Sequence, residues 1–373
     1  MGKYELSISP DYVPDWGIVD AIRELFQNAL DQQTVEPDNE MFFSYDYETE
    51  TLTLGNNKSI LTVNTLLLGV SSKVDSKETI GKFGEGYKIA TLVLCRLGRK
   101  ITFFNYGARE VWKPRLVKSR RYQSDVLTFF VEKSNIWTGV PDHNLTIEVS
   151  GITIDDYRSI CESNLHLTKQ DADFVIDNRL GRILLDPKHQ GKVFVNGLYI
   201  CKYAEFDYGY DFKPEYVTLD RSRKLVSDFN LRWSSSKMWA SVGTDKLTEL
   251  AKKGSKDVEY IDSPNSWQLQ DNWPTTCENA YDSFVSENGE KAVPVTNQAE
   301  FEQVPKSYKA IFVTMPYQKM LTASSKYANV PFEEEPDYVV ELTKWFDDIK
   351  ENCTTEQIAK FEFLVENIKA KLE

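Results

Sequence analysis

Residues 80–88 read Ile-Gly-Lys-Phe-Gly-Glu-Gly-Tyr-Lys, with three glycines in six residues, and the apolar run 89–94 follows at once. Glycine lacks a Cβ and reaches positive φ, so backbone N–H groups in such a loop can come close to an anion. The apolar run predicts a buried helix whose N-terminal dipole points back at the loop. Loop and helix together make a cradle for a polyphosphate. A P-loop is excluded, because Tyr87 precedes Lys88 where Gly-Lys-Ser/Thr is required. A dinucleotide fingerprint is excluded too, because Ile89 stands where its third glycine belongs.

A helix is predicted upstream over 17–33, with Ile18, Ile22, Leu25, Phe26, Ala29 and Leu30 on its inward face. Glu24, Asn28 and Asp31 follow at i, i+4 and i+7 and share one neighbouring stripe. A carboxylate, an amide and a second carboxylate so placed can act as base, metal ligand and support; a solvated polar face is the plainer alternative. Strands are expected at 4–8, 41–47 and 51–54, a polar turn at 55–59, and a helix over 61–69. Further strands are expected at 100–105, 110–118, 122–132 and 145–149.

The run Ile22-Arg23-Glu24-Leu25-Phe26-Gln27-Asn28-Ala29-Leu30-Asp31 resembles the N-box of the GHKL ATPases, the superfamily of gyrase, heat-shock chaperones, sensor histidine kinases and MutL. Residues 80–88 resemble the second glycine box of the same family. The resemblance covers about residues 1–155 and implies an α+β Bergerat sandwich, a mixed sheet under helices. It implies ATP and Mg²⁺ as cofactors, with Glu24 as the base that orients water, Asn28 as the metal ligand and Asp31 as the supporting acid. Gly81, Lys82, Phe83, Gly84, Glu85, Gly86, Tyr87 and Lys88 would cover the phosphates, and Thr146 resembles the family's threonine beside the base. The family's first glycine box, Asp-x-Gly-x-Gly, is replaced by Gly55-Asn56-Asn57-Lys58-Ser59. Asn56 or Asn57 could accept the adenine amine's hydrogen bond through its carboxamide oxygen, without charge assistance.

A second domain, 156–252, is expected to open with a helix over 152–165. Strands at 182–185, 192–196, 198–203 and 217–219 and a helix over 231–252 follow. Asn196-Gly197 is a hairpin signal. The domain resembles the transducer of MutL-type proteins, which implies a basic residue reaching the γ-phosphate; Arg221, Arg223 and Lys224 are the candidates. Residues 253–288 read as linker or irregular surface, rich in Ser, Asn, Asp and Pro. In 289–373 a strand, helix and strand are expected at 292–295, 298–304 and 310–314, then helices over 337–352 and 354–372. Val339, Leu342, Trp345 and Phe346 would face Ile358, Phe361, Leu364, Val365 and Ile368, either as a hairpin within the domain or as a dimerising pair.

The net charge of −13 disfavours general affinity for nucleic acid. About ten of those charges lie in 241–373, so a local basic patch can act elsewhere. Lys113, Arg115, Lys118, Arg120 and Arg121, beside Trp112 and Tyr122, are such a patch, suited to nucleic acid or an acidic partner. The five cysteines and three histidines are scattered singly, which argues against zinc and for a reduced compartment. No run reaches the length of a membrane span, and the N-terminus lacks a signal-peptide core, so a cytoplasmic protein is expected. The expected activity is slow Mg²⁺-dependent ATP hydrolysis that drives lid closure and homodimerisation and acts on a protein or nucleic-acid partner. The alternative is a module that binds nucleotide or partner without hydrolysis.

Overall fold

The computed structural model describes residues 2–67, 85–134, 143–217, 228–243, 245–261, 272–327 and 338–372. These hold ten α-helices and fourteen strands in an α+β arrangement. The chain forms two compact units, Met1–Leu250 with Ser255–Gln270, and Ala251–Gly254 with Asp271–Glu373.

In the first unit, seven strands form one sheet: β1 (Gly2–Glu5), β2 (Met41–Asp46), β3 (Thr51–Asn56), β4 (Lys100–Asn105), β5 (Glu110–Lys118), β6 (Asp125–Lys133) and β7 (Leu145–Ser150). Their order is β1-β6-β5-β4-β7-β3-β2. A mixed sheet was expected; every neighbouring pair is instead antiparallel. Short hairpins join β2 to β3, β4 to β5 and β5 to β6, and a hairpin leaves its strands no other direction. The helix α1 (Ile18–Val35) starts at Gly17, whose N–H donates to Asp20 Oδ2 at 3.0 Å. Its Ala21, Ile22 and Leu25 share a buried core with Leu92 and Val93 of α2 (Gly86–Arg96) and Leu54, Phe103 and Ile147 of the sheet. The helix expected over 61–69 is a single 3-10 turn at Val63–Leu66, with 68 and 69 outside the described residues.

After α3 (Ile154–Glu162) come β8 (Val175–Asn178), β9 (Gly181–Leu184), β10 (Lys192–Val195), β11 (Leu198–Lys202) and β12 (Gly209–Phe212). These form a second sheet in the order β11-β10-β12-β9-β8, with β10 and β12 parallel. Asn196 and Gly197 both have positive φ, 49° and 77°, as the tight hairpin requires. The strand expected at 217–219 is not seen at Val217, which follows a 3-10 turn, and 218–219 lie outside the described residues. No seam falls at residue 155. Phe26 of α1 is buried with Val195 and Leu198, and Arg23 Nη1 donates to Tyr199 O at 3.3 Å.

The single helix expected over 231–252 is two, α4 (Asp228–Val242) and α5 (Asp245–Lys253), parted at Gly243 with φ +59°. Beneath α4, the Asp257 carboxylate accepts from Asp207 N at 2.8 Å, Ser255 Oγ at 2.8 Å, Tyr208 N at 3.3 Å and the Tyr210 hydroxyl. Trp239 Nε1 in turn donates to Tyr210 Oη at 2.8 Å.

His189 is buried, with Nε2 2.9 Å from Gln170 Oε1 and no hydrogen-bond partner for Nδ1 among the described residues. Burial, with Lys188 and Lys192 nearby, pushes its pKa down to about 4. The unfolded chain therefore takes up a proton near pH 6.5 that the folded chain refuses. Stability from this group is present above pH 6.5 and is lost as the pH falls toward 4. Thermal midpoints measured between pH 7 and 4.5 should fall more steeply for wild type than for His189→Gln.

In the second unit, residues 272–288, expected as linker, form the helix α6 (Asn272–Asn288). Trp273, Cys277, Ala280 and Phe284 are buried along its inner face, and Pro274 sits in the first turn, where no intrahelical N–H is needed. Next come β13 (Ala292–Val295), α7 (Gln298–Glu302) and β14 (Lys309–Phe312), whose two strands pair in parallel as the strand–helix–strand pattern predicts. The helix α8 (Met315–Thr322) is capped by Thr314, whose Oγ1 accepts from Tyr317 N. Of the last two helices, α9 (Tyr338–Ile349) and α10 (Thr355–Leu372), the second is capped by Thr354 through a reciprocal pair with Gln357. Phe346 stacks on Phe361 at 3.7 Å, and Val339 and Val365 are buried. Leu342, Trp345, Leu364 and Ile368, expected between the two helices, are exposed. No helix among the described residues is long and apolar enough to cross a membrane.

Candidate functional site

The stripe of Glu24, Asn28 and Asp31 and the end of the glycine-rich stretch meet where α1 packs on α2. Glu24 and Asp31 are each only 1% exposed, unusual for carboxylates on a helix. Arg23 Nη2 lies 3.7 Å from Glu24 Oε1, and Arg23 Nη1 lies 3.2 Å from Asp20 Oδ1. Glu24 thus carries a cation beside it in a poorly hydrated place. Asn28 Nδ2 donates to Glu24 O at 2.7 Å, which fixes the orientation of the carboxamide.

Gly86, the first residue of α2, completes the contact. A Cβ built there would fall 2.5 Å from Glu24 Oε2 and 3.3 Å from Asn28 Nδ2. Only a glycine lets the helix start so close to both side chains. Its first-turn N–H groups and the positive end of its dipole then stand beside the stripe. Gly86→Ala should lower any turnover about tenfold by displacing the Glu24 carboxylate, and should also lower the thermal midpoint, because the added Cβ presses on a buried, ion-paired side chain. A variant with wild-type turnover and midpoint would contradict this contact.

The remaining expected site residues are placed differently. Tyr87 and Lys88 turn away from the stripe and hold the 3-10 turn. Tyr87 Oη donates to Thr65 O at 2.9 Å, while Lys88 Nζ donates to Thr65 O at 2.8 Å and Leu67 O at 2.5 Å. Lys88 is fully buried, which lowers its pKa, and burial pushes the Tyr87 phenol up to about 12. Both side chains anchor the 3-10 turn. Glu85 precedes α2 and lines a cavity of about 560 Å³ with Ser7, Ser9, Asp11 and Tyr12. Gly81, Lys82, Phe83, Gly84, Arg221, Arg223 and Lys224 lie outside the described residues.

The two asparagines expected beside the adenine base lie on opposite faces of the sheet. Asn56 is buried on the helix side of the sheet, and its Nδ2 donates to Ala29 O at 3.0 Å and Asn39 O at 3.1 Å. It ties α1 to the strands. Asn57 continues the strand bonding, with its N–H to Glu40 O and its C=O accepting from Asn144 N, so alternation sends its side chain to the other face. Thr146 pairs with Gly55, between the core residues Leu145 and Ile147, and by the same alternation faces away from α1. A one-residue difference in strand register separates it from the stripe.

Arg23 is the site residue missed in the sequence. A charged residue before a carboxylate on a helix reads as surface, whereas Arg23 is 8% exposed and its guanidinium lies 5.5 Å from the Trp16 ring. No group of three or more His, Cys, Asp or Glu that could hold a metal occurs among the described residues. A divalent ion beside Asn28 would take most of its oxygens from a bound phosphate and water, as Mg²⁺ commonly does.

No family model matches the chain. It is 27% identical over 227 residues, 57% of its length, to an uncharacterized protein of Mycoplasma pneumoniae, of which it covers 87%. Among solved structures it is similar to the ATPase region of Saccharomyces cerevisiae topoisomerase II, with 11% identity and a TM-score of 0.33 over 52% of this chain and 72% of that one.

Proposed function

We propose that the chain is a GHKL-type ATPase of Bergerat fold, which binds ATP with Mg²⁺ at the α1–α2 contact and hydrolyses it slowly. The observation that carries this reading is the approach of Gly86 to Glu24 and Asn28, which packs two segments distant in sequence so closely that a Cβ at residue 86 would meet both side chains. Glu24 accepts the proton of the attacking water. Arg23 holds that carboxylate in place through the second sheet's Tyr199 carbonyl. Asn28 offers its carboxamide oxygen to the metal, and Asp31 supports the pocket wall. Mg²⁺ held there by Asn28 would supply positive charge to offset the negative charge that develops on the phosphate. Arg221, Arg223 and Lys224 remain the sequence candidates for neutralising the γ-phosphate. Binding closes the site and favours a homodimer, and the cycle acts on a protein or nucleic-acid partner.

ATP titration followed by sedimentation tests both halves. Saturable, Mg²⁺-dependent binding and a shift from monomer to dimer are expected. If ATP, GTP and CTP all fail to bind, the reading is wrong.

A second reading, a GHKL scaffold that binds a ligand or partner without turnover, is favoured by one observation. Thr146 stands on the sheet face opposite α1, away from Glu24. ATP binding without phosphate release would select this second reading.

A further inference from the structure

The seven-stranded sheet is split between two of its strands. β4 and β5 pair only where Phe103 faces Trp112, Phe104 faces Val111 and Asn105 faces Glu110. Yet β4 reaches back to Lys100 and β5 runs on to Lys118. Continuing that register would set Ile101 against Pro114 and Lys100 against Arg115. Proline has no N–H to donate, and two cations directly opposite each other repel. Since β4 stays paired with β7 and β5 with β6 along these stretches, the ladder opens between them.

The opening is a cleft of about 440 Å³, whose walls include Lys100, Ile101, Thr102, Pro114, Arg115 and Leu116, reaching Cys95 of α2. Lys113 is paired with Glu132 at 2.9 Å, and Arg99 with Asp156 at 3.2 Å. Lys100 and Arg115 are exposed on opposite walls and make no ion pair among the described residues. Arg115 rests 4.1 Å over the Phe130 ring. The cleft therefore offers two strand edges, an apolar floor and two exposed cations, of which Lys100 also feels the Glu148 carboxylate on β7.

We propose that this cleft takes an extended segment of an acidic protein partner, added as a strand between β4 and β5. Main-chain hydrogen bonds to the open edges would supply affinity, and acidic side chains between Lys100 and Arg115 would supply selection. A nucleic-acid strand fits less well, because its sugar-phosphate backbone has no alternating N–H and C=O groups to pair with the two open strand edges. A small free anion would use the cations and leave the strand edges unpaired. The proposal stands apart from the nucleotide reading, since none of these residues belongs to the α1–α2 contact.

Fluorescence anisotropy of a labelled decapeptide of alternating Glu and Val, titrated with the full chain, tests this. Wild type should bind it and not its Lys-Val counterpart. Lys100→Glu with Arg115→Glu should weaken Glu-Val binding by about tenfold or more and admit the Lys-Val peptide. Both side chains are exposed, so the double variant should match wild type in far-UV circular dichroism. Replacing the peptide's Val by Pro should abolish binding, because proline cannot pair on a strand edge. The proposal is overturned if the Glu-Val peptide does not bind, if the Pro peptide binds equally, or if charge reversal changes nothing. It is overturned as well if a single-stranded oligonucleotide binds more tightly than the peptide, or if inorganic phosphate displaces the peptide at equal concentration.

Discussion

Glu24→Gln should abolish steady-state phosphate release while leaving ATP binding close to wild type. A positioned general base contributes roughly 10²–10⁴-fold in rate, so the residual turnover should fall within the assay background. The substitution keeps the side chain's shape against Gly86, where a built Cβ already falls 2.5 Å from Glu24 Oε2. It removes the charge facing Arg23 and the capacity to take a proton. Glutamine in this buried position can still accept one hydrogen bond, so the fold should survive. Wild type that turns over no faster than the variant would leave Glu24 without a catalytic role. The non-hydrolysing reading would then stand.

Asp257→Ala should be the most destabilising single change in the first unit. Four donors converge on that carboxylate, from Asp207, Tyr208, Tyr210 and Ser255. Removing it strands the Asp207 and Tyr208 amides and the Tyr210 hydroxyl, while Ser255 keeps its bond to Asp207 Oδ2, in a place where Asp257 and Tyr210 are fully buried. Each unsatisfied buried donor costs about 1–3 kcal/mol, but relaxation and water entry recover part of this, so a net loss of about 3–4 kcal/mol is expected. For a unit of this size that lowers the thermal midpoint by roughly 5–7 °C. Asp257→Asn keeps one acceptor oxygen and should lie between. Tyr210→Phe removes both the donor to Asp257 and the acceptor for Trp239, so Tyr210→Phe and Asp257→Ala should be less than additive. Strict additivity, read by urea denaturation, would mean that the groups do not act as one network.

The elements most legible in the sequence were those whose signal is local. Ile22, Leu25 and Phe26 recur at helical spacing, and α1 forms where they predict it. The strands Lys100–Asn105 and Glu110–Lys118 stand as read, because β-branched and aromatic residues there have no helical alternative. The helix α6 was not legible, since Asn, Thr and Ser dominate its exposed face and only Trp273, Cys277, Ala280 and Phe284 reveal a buried one. β12 was equally hidden. Four residues, Gly-Tyr-Asp-Phe, become a central strand because β10 and β9 pair with both edges.

At the site, sequence by itself determined the chemistry on offer: a carboxylate, an amide and a carboxylate along one helix stripe, and a glycine at the start of another helix. Periodicity and composition are properties of neighbours along the chain, so they can be read there. Only the tertiary structure decided which of those groups meet. It set Gly86 against Glu24 and Asn28, turned Tyr87 and Lys88 toward Thr65, and spent Asn56 on backbone carbonyls. Strand alternation placed Thr146 on the far face, and Pro114 together with the opposed Lys100 and Arg115 opened the sheet. These outcomes depend on the register between strands and the approach of helices, where a shift of one residue or one Cβ changes which atoms touch.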